Sequence, residues 1–461
     1  MHRPLLVAVA LAAVVIASAW VAKRSRVPTP VFLVLTGLAV SFVPGLEEVK
    51  LPPDVVFYGF LPPLLYAAAF FVSPREAREN WASILVLAVG LTLVTLLAVG
   101  FVGWWLVPAL GAGGAFVLGA VLGPTDPVSA TNVIGQTSAP EKLQTILESE
   151  SLVNDGVGLV AFSIALTALE KGSFSVADGV LKFLQVSVGG VAFGLVVAFV
   201  VERIRRRVHD AEIEIPLSVL TPYIAYIPAE RLGFSGILAT VTCGVYLGWR
   251  SGGIFKPEVR LQSAAFWEAL NFTLTAVLFV LLGLQFRPVL NGIAHPSWVD
   301  PLVIFAVLLA VRLVWMFTVP HTVRRWRDIA PWQDRLILGW CGIRGALSLA
   351  AALSIPVAVA ERDEVLYLTF TVILATLVVL AVPLPWLLDA LGFGEDDGSE
   401  LREARAALDL AAEGAVGGRR EALVAERAEL ARLEREGHVG HATARELEQT
   451  LDLEEVWLSR R

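Results

Sequence analysis

The sequence predicts an all-α polytopic membrane protein with about 13 transmembrane helices, arranged as two inverted repeats whose discontinuous helices cross. Three observations support this fold class. The 461 residues are 56% hydrophobic and only 17% charged, and the mean hydropathy of +0.69 is too high for a soluble protein of this length. The apolar residues fall in windows long enough to cross a bilayer. Two of these windows are interrupted by proline or glycine, which is typical of transporters.

Charged or Pro/Gly-rich breaks separate thirteen apolar windows. They cover residues 4–22, 27–43, 54–73, 81–107, 112–134, 143–169, 176–201, 215–229, 234–250, 263–286, 298–321, 333–356 and 364–391. The eighth window is short. The first lacks a clear cleavage site and is followed by a basic cluster at 23–26, so we expect an uncleaved helix rather than a signal peptide. An odd number of spans places the two termini on opposite sides of the membrane.

The distribution of Lys and Arg predicts an amino terminus outside the cell and a cytoplasmic carboxyl tail. Basic residues are retained in cytoplasmic loops. With this orientation the inner loops hold 17 Lys and Arg, whereas the outer segments hold 6. We therefore expect a multi-pass protein of the cell (inner) membrane, surrounded by lipids, and no nucleic-acid partner.

Two domains are predicted, a transmembrane transport domain over residues 1–393 and a helical cytoplasmic tail over 394–461. The tail switches to Ala, Leu, Glu and Arg, and its 10 Arg against 17 Asp and Glu account for the whole net charge of −7. Glycines near 414–418 and 437–440 divide it into three helical pieces. We interpret the tail as a solvated appendage, with a regulatory or partner-binding role as the alternative.

The polar chemistry is concentrated between residues 123 and 155, inside segments apolar enough for a bilayer. Carboxylates at membrane depth indicate an ion or substrate pathway. Pro124 and Pro127 bracket Thr125 and Asp126, and two prolines should open the helix there. Asp126 would then lie beside backbone carbonyls that suit a hard monovalent cation. The alternative is that Asp126 only caps the second half-helix.

The sixth span brings four further polar residues together. Ser151 and Asp155 are four residues apart and share one helix face, whereas Glu150 and Asn154 share the adjacent face. One helix can therefore offer a hydroxyl and a carboxylate to a cation. The alternative is a polar contact between helices, in which Asn and Ser act as glue.

Two arginines in apolar segments are the matching cations. A buried carboxylate is tolerated when it is paired, and we expect Glu150 to pair with Arg312, which lies in mid-span. Arg344 lies in the second interruption, at 341–345, and is expected opposite Asp126. The alternative for Arg344 is that it snorkels to the cytoplasm.

Several of these segments resemble the signatures of the monovalent cation:proton antiporters, the sodium/proton exchangers. They are Pro-Thr-Asp-Pro at 124–127, Glu-Ser-Leu-Val-Asn-Asp at 150–155, Ser-Gly-Ile-Leu-Ala at 235–239 and Gly-Ile-Arg-Gly-Ala at 342–346, with Leu-Pro-Pro-Leu-Leu-Tyr at 61–66 similar to the third span. The resemblance covers spans 3 to 13 and leaves out the tail. It implies the antiporter fold, in a bacterial-type homodimer. Tyr66 stands where some eukaryotic members carry an acidic residue, so no carboxylate is expected there.

The resemblance also implies how the helices are divided. Core helices at about 81–169 and 298–391 would move against dimer or scaffold helices at about 4–73 and 176–286. The Asn154-Asp155 pair resembles the electroneutral branch of the family. The implied function is secondary active exchange of sodium, or lithium, for protons with 1:1 stoichiometry, serving pH and sodium homeostasis.

Asp155 is expected to carry sodium or a proton, helped by Asp126, Ser151 and the carbonyl of Thr125, with Asn154 beside them. Sodium and the proton are then substrates, and we expect neither a cofactor nor an enzymatic activity. A potassium/proton antiporter of the same fold is the nearest alternative. A cation channel and an intramembrane aspartyl protease are more distant ones.

Overall fold

The computed structural model describes residues 12–18, 20–22, 28–43, 52–72, 81–82, 84–135, 137–171, 176–208, 210–250, 257–293, 296–319, 331–394, 399–415, 418–436 and 438–459. The start of the first predicted span lies outside these ranges. So do several basic residues that support the predicted orientation, at 23–26, 75–78 and 324–327.

Within the described ranges, the first half of the membrane domain has seven main helices, besides a short 3-10 helix at Pro108–Leu110. They are α1 (Ala12–Ala22, described except for residue 19), α2 (Thr29–Val40), α3 (Val55–Phe70), α4 (Val86–Leu106), α5 (Gly111–Leu122), α6 (Val128–Ile134) and α7 (Glu141–Lys171). Helices α3 and α4 begin with wider π-helical turns. Helices α5 and α6 are the two halves of the predicted fifth span, separated by the prolines at 124 and 127.

The described part of the second half and the tail has thirteen main helices, besides a π-helical segment at Leu377–Ala381. In the membrane part they are α8 (Val176–Arg205), α9 (Ala211–Arg231), α10 (Gly236–Arg250), α11 (Pro257–Leu284), α12 (Phe286–Asn291), α13 (Val299–Thr318), α14 (Trp332–Trp340), α15 (Ala346–Leu353), α16 (Arg362–Thr376) and α17 (Leu384–Ala390). The tail forms α18 (Ser399–Glu413), α19 (Arg419–Glu436) and α20 (His441–Ser459), in the three pieces that its glycines predict.

Within the described residues, the membrane helices fall into thirteen segments at the predicted places, which confirms the fold class. Six helical stretches among the described residues have the length and apolar composition to cross a membrane, and shorter apolar helices lie between them. One stretch joins α11 and α12, and another joins α16 to α17 through the π-helical turns of Leu377–Ala381. The short eighth window is one helix, α9, although it contains Pro216, Pro222 and Pro228. Membrane helices tolerate proline where neighbouring groups satisfy the freed backbone.

Buried apolar side chains of the membrane domain form one large cluster and two smaller ones. The large cluster joins α4 to α7 with α13 to α17, and it also takes in α1, α2 and the second half of α11. A second cluster joins α3, α8, α9, α10 and the first half of α11, and a third joins α3 and α7 with α9 and α10. The predicted division into core and scaffold helices stays a prediction, because packing in one conformation does not show which group moves.

The tail has a small apolar core of its own. Leu408 of α18, Leu423 and Leu430 of α19, and Leu447 and Leu451 of α20 are almost fully buried in it. Helix α20 also packs against α11 of the membrane domain. The tail therefore lies on the membrane domain as a compact unit with three helices.

Helices α2 and α11 approach each other closely at two glycines. A Cβ atom at Gly37 would lie 2.1 Å from the carbonyl oxygen of Val280, and one at Gly283 would lie 2.2 Å from that of Val34. Small residues allow this backbone approach, which is a common way for membrane helices to associate. The position of α11 relative to α2 therefore depends on glycine at 37 and 283.

We predict that Gly37→Ala lowers the free energy of unfolding by about 1–3 kcal/mol, the usual result of overpacking. The measurement is chemical unfolding of the purified protein in detergent micelles, followed by tryptophan fluorescence. Gly59→Ala is the matched control, because a Cβ there meets only a side-chain atom at 3.8 Å. Equal stability of the two variants would contradict the close approach of α2 and α11.

Candidate functional site

The two interrupted helices cross at their breaks. The backbone N–H of Asp126, between α5 and α6, donates to the carbonyl of Ile343, between α14 and α15, at 2.8 Å. At Gly345 the two segments touch so closely that a Cβ would overlap the carboxyl group of Asp126. Glycine at 345 is therefore required for the crossing. Residues more than two hundred positions apart in the chain form one site here.

Asp126 also caps the helix that follows it. Its Oδ1 accepts from the backbone N–H of Val128 at 3.0 Å, in the first turn of α6. A carboxylate at a helix N-terminus satisfies unpaired donors and interacts favourably with the helix dipole. The capping role proposed as the alternative is thus present in the structure, and it is compatible with ion binding because Asp126 also faces a cavity.

Two buried arginines stabilise the C-terminal ends of the half-helices α5 and α14. Nε of Arg344 donates to the carbonyl of Leu122, the last residue of α5, at 2.9 Å, and Nη1 donates to the carbonyl of Gly342. Nε of Arg312 donates to the carbonyl of Leu338 in the last turn of α14 at 2.8 Å. Each cation lies at the C-terminal end of a half-helix, where the dipole and the free carbonyls favour positive charge.

This arrangement differs from our expectation for Arg344. We expected its guanidinium opposite Asp126, whereas it donates to backbone carbonyls and its backbone N–H donates to Thr376 Oγ1 at 3.1 Å. Arg344 is 2% exposed, so it does not snorkel to the surface. Its position follows from the unwound backbone, which presents carbonyls that have lost their helical donors.

Glu150 and Arg312 form a buried ion pair. Nη1 of Arg312 lies 2.6 Å from Glu150 Oε1, and Nη2 lies 2.8 Å from Oε2, so the contact is bidentate. Both residues are at most 2% exposed. Such planar, charge-assisted pairs are the strongest hydrogen bonds in proteins. The guanidinium of Arg312 therefore neutralises the charge of Glu150.

Thr125 and Asn154 extend this network. The hydroxyl of Thr125 donates to Glu150 Oε1 at 3.2 Å and accepts from Asn154 Nδ2 at 2.9 Å. Asn154 is fully buried, and its Oδ1 has no hydrogen-bond partner among the described residues. The network connects α7 to the first break, so Asn154 and Thr125 hold the helix of Asp155 against the crossing.

A cavity of about 1070 Å³ reaches the crossing. Four of the predicted residues line it, namely Thr125, Asp126, Ser151 and Asp155. Asn154 and Glu150 lie behind its wall, 0% and 1% exposed. The structure thus separates the predicted site into residues that face the cavity and residues that support them.

Two of the carboxylates that line this cavity, Asp126 and Asp155, belong to the predicted site. Asp126 lies in the break between α5 and α6, and Asp155 lies on α7. Ser151 lies one helical turn before Asp155 and is 8% exposed at the same wall. Two neighbouring carboxylates cannot both carry a full charge without a cation or a proton between them. The arrangement is suited to binding one or the other.

Several lining residues were not predicted. Asn271 and Thr275 of α11, Ser348 of α15, and Asp389 of α17 contribute polar atoms, and Arg445 contributes a charge from the tail. Asn271 and Thr275 are four residues apart, so they share one face of α11. Two polar residues on one face of an apolar helix are a pattern that the sequence shows and that could have predicted their position. Arg445 had no such signal.

The sequence was compared with models of known protein families. Residues 9–390 match the model of the transmembrane sodium/hydrogen exchanger family. The chain belongs to this family. The chain is 32% identical over 423 residues to an uncharacterised Na⁺/H⁺ exchanger of Escherichia coli K12, covering 85% of this chain and 77% of the relative.

A second relative and a solved structure are also similar to the chain. The Na⁺/H⁺ antiporter ApNhaP of Aphanothece halophytica is 31% identical, covering 83% of this chain and 74% of that protein. The structure of the sodium proton antiporter MjNhaP1 of Methanocaldococcus jannaschii matches with a TM-score of 0.66 at 21% identity, over 83% of this chain and all of that one. The match confirms the antiporter fold.

We predict that removing one partner of the buried pair is much more destabilising than removing both. Arg312→Met or Glu150→Leu alone should lower the free energy of unfolding by about 3–5 kcal/mol, since an unpaired charge stays buried, whereas the double variant should lose far less than the sum. Chemical unfolding in detergent micelles measures the three values.

The control is Arg206→Gln, which breaks a pair between Glu202 and a half-exposed arginine. It should change the stability by less than about 1 kcal/mol. Single variants that resemble this control, or a double variant that equals the sum, would show that the pair of Glu150 and Arg312 does not hold the site together.

Proposed function

We propose that the protein is a secondary active antiporter that exchanges sodium, or lithium, for protons across the cell membrane, in the service of pH and sodium homeostasis. The observation that carries this proposal is the position of Asp126 and Asp155, which line one cavity at the crossing of two broken helices. Unwound backbone at membrane depth supplies carbonyl ligands for an ion. No enzymatic step and no cofactor are part of the proposal.

The exchange works by competition at Asp155. Sodium would be bound by this carboxylate together with Ser151, Asp126 and the backbone carbonyl of Thr125. The carbonyl is the ligand we assign to Thr125, because its hydroxyl already bonds to Glu150 and Asn154. A carboxylate that loses its cation in a desolvated site favours its protonated form. Sodium and the proton therefore exclude each other.

The proposed exchange moves no net charge. Glu150 keeps Arg312 as its partner and stays out of the cavity. Arg344 likewise stays bound to the carbonyl at the end of α5. One sodium then replaces one proton at one carboxylate, which agrees with the resemblance of Asn154-Asp155 to the electroneutral branch.

Transport requires that the site opens to each side of the membrane in turn. The cavity extends from Asp155 to Arg445 of the tail, so we assign the described conformation as open to the tail side. On the orientation that the basic residues predict, this is the cytoplasm. The core helices at 81–169 and 298–391 would carry the site past the scaffold helices, and a bare, charged Asp155 would cross slowly. That restriction would couple the two fluxes.

A homodimer is part of the proposal. Helix α8 presents large apolar side chains outward along its whole length, among them Leu181, Val188 and Phe199, each more than half exposed. In a membrane such a face contacts lipid or a second copy of the chain. A fixed dimer would give the moving helices a partner to move against.

A potassium/proton antiporter of the same fold is the second candidate. A relative from Bacillus subtilis, 32% identical over 391 residues, is named a sodium, potassium, lithium and rubidium/H⁺ antiporter. Adding each chloride salt in turn to vesicles that hold a pH gradient tests this alternative. Dissipation by sodium and lithium but not by potassium supports the first proposal.

We predict that Asp155→Asn abolishes sodium-dependent dissipation of a pH gradient in everted membrane vesicles, because the amide can neither exchange a proton nor compensate sodium. Glu170→Gln is the control, since this residue is exposed at the end of the same helix. Exchange at the native rate by Asp155→Asn would remove Asp155 from the mechanism. A current without pH change would favour a cation channel.

We also predict that the sodium accumulation ratio in proteoliposomes follows the pH gradient alone. Moving one elementary charge across a potential of 100 mV changes its free energy by about 2.3 kcal/mol. Transport of even one net charge per cycle would therefore shift the steady sodium accumulation ratio by more than about tenfold. Potassium diffusion potentials set with valinomycin provide the measurement. A ratio that changes with the potential would rule out the 1:1 stoichiometry.

A further inference from the structure

The last helix of the tail is anchored beside the cavity by one arginine of the membrane domain. Nε of Arg260, near the start of α11, donates to Asp452 Oδ2 at 2.6 Å, and its Nη1 lies 2.8 Å from Glu448 Oε1. Asp452 is fully buried and also accepts from Arg427 of α19 at 2.7 Å. These contacts hold α20 and the rest of the tail bundle on the membrane domain.

A second arginine extends from α20 into the cavity. Arg445 precedes Asp452 by seven residues, which places both on the same side of the helix. Its guanidinium lies 4.3 Å from the ring centre of Phe71, at the end of α3, and both residues line the cavity that contains Asp126 and Asp155. The tail therefore contributes a charge to the passage that leads to the exchange site.

This charge lies among acidic residues. Glu148 and Asp389 line the same cavity, and Arg445 is attracted by Glu148 as well as by Glu448. Burial lowers the pKa of Arg445, but an arginine still carries its charge at any pH the protein meets. A cation entering from the tail side would thus meet a fixed positive charge beside the carboxylates that would otherwise attract it.

The residue that docks α20 on the membrane domain is not the residue that places a charge in the cavity. Arg260 forms the ion pairs that hold α20, whereas Arg445 has its charge in the cavity and rests on the face of an aromatic ring. Stacking of this kind contributes about 0.5–2 kcal/mol. Removal of the charge at 445 should therefore leave the helix in place.

We propose that Arg445 sets the affinity of the cavity for the transported cation. The docked helix α20 holds a positive charge at the tail end of the passage and raises the sodium concentration needed to fill the site from that side. This inference rests on the proposed antiport function, and it assigns the tail a part in transport that the family comparison does not cover.

The test compares three full-length variants with the wild type in everted vesicles. Arg445→Gln removes the charge, Arg445→Lys keeps it, and Arg432→Gln removes a half-exposed tail arginine whose ion pairs within the described part of the chain lie on α19. The half-saturating sodium concentration is measured at fixed pH, with sodium added on the tail side. A unit charge acting over several ångströms of water changes an equilibrium about two- to fivefold.

We expect Arg445→Gln to lower the half-saturating sodium concentration about two- to fivefold, while Arg445→Lys and Arg432→Gln stay at the wild-type value. Added choline chloride should shrink the difference between Arg445→Gln and the wild type, because salt screens a charge but does not restore a lost packing contact. An unchanged or raised value in Arg445→Gln would overturn the proposal. So would an equal change in Arg432→Gln, or a difference that choline chloride leaves intact. Absence of exchange in the wild type would instead overturn the proposed function itself.

Discussion

The bilayer does not tolerate a charge or a free backbone group without a partner, and the crossing of the two broken helices is built around that constraint. Unwinding at Pro124 and at Gly342 leaves helix ends inside the membrane domain. Three charged side chains satisfy these ends, since Arg344 and Arg312 donate to the carbonyls that end α5 and α14, and Asp126 accepts at the start of α6. The breaks are stable because each helix end meets a charged side chain of matching sign, supplied by the other break, by α13 or by the break itself.

This compensation explains why only some of the buried charges are available for chemistry. Glu150 bonds to Arg312 with both oxygens and accepts from Thr125, so its bonding capacity is largely used. Asp155 has no ion pair among the described residues and faces the cavity. A carboxylate in that position must find its partner in the solvent, as a cation or as a proton. In the proposed mechanism, the difference between a structural and an exchanging carboxylate thus lies in the neighbours, not in the residue type.

Much of the fold could be predicted, because it depends on signals that are local in the chain. Apolar windows give the thirteen segments, and prolines and glycines give the breaks. The contact between Glu150 and Arg312 could be anticipated from the cost of leaving either unpaired. The position of Arg344 could not, since its partner is the carbonyl of Leu122, and the direction of a carbonyl at an unwound turn is set only by the three-dimensional path of the chain.

The tail shows a different limit of prediction. Its helices follow from composition and glycine spacing, but the surface on which α20 docks depends on Arg260, which lies almost two hundred residues earlier. Nothing near Arg445 in the sequence distinguishes it from the other arginines of an amphipathic helix. Only the docked position brings its charge into the cavity of Asp126 and Asp155. A segment that looks like a solvated appendage can therefore take part in the electrostatics of an ion site, because charge acts through space and the fold decides what is near.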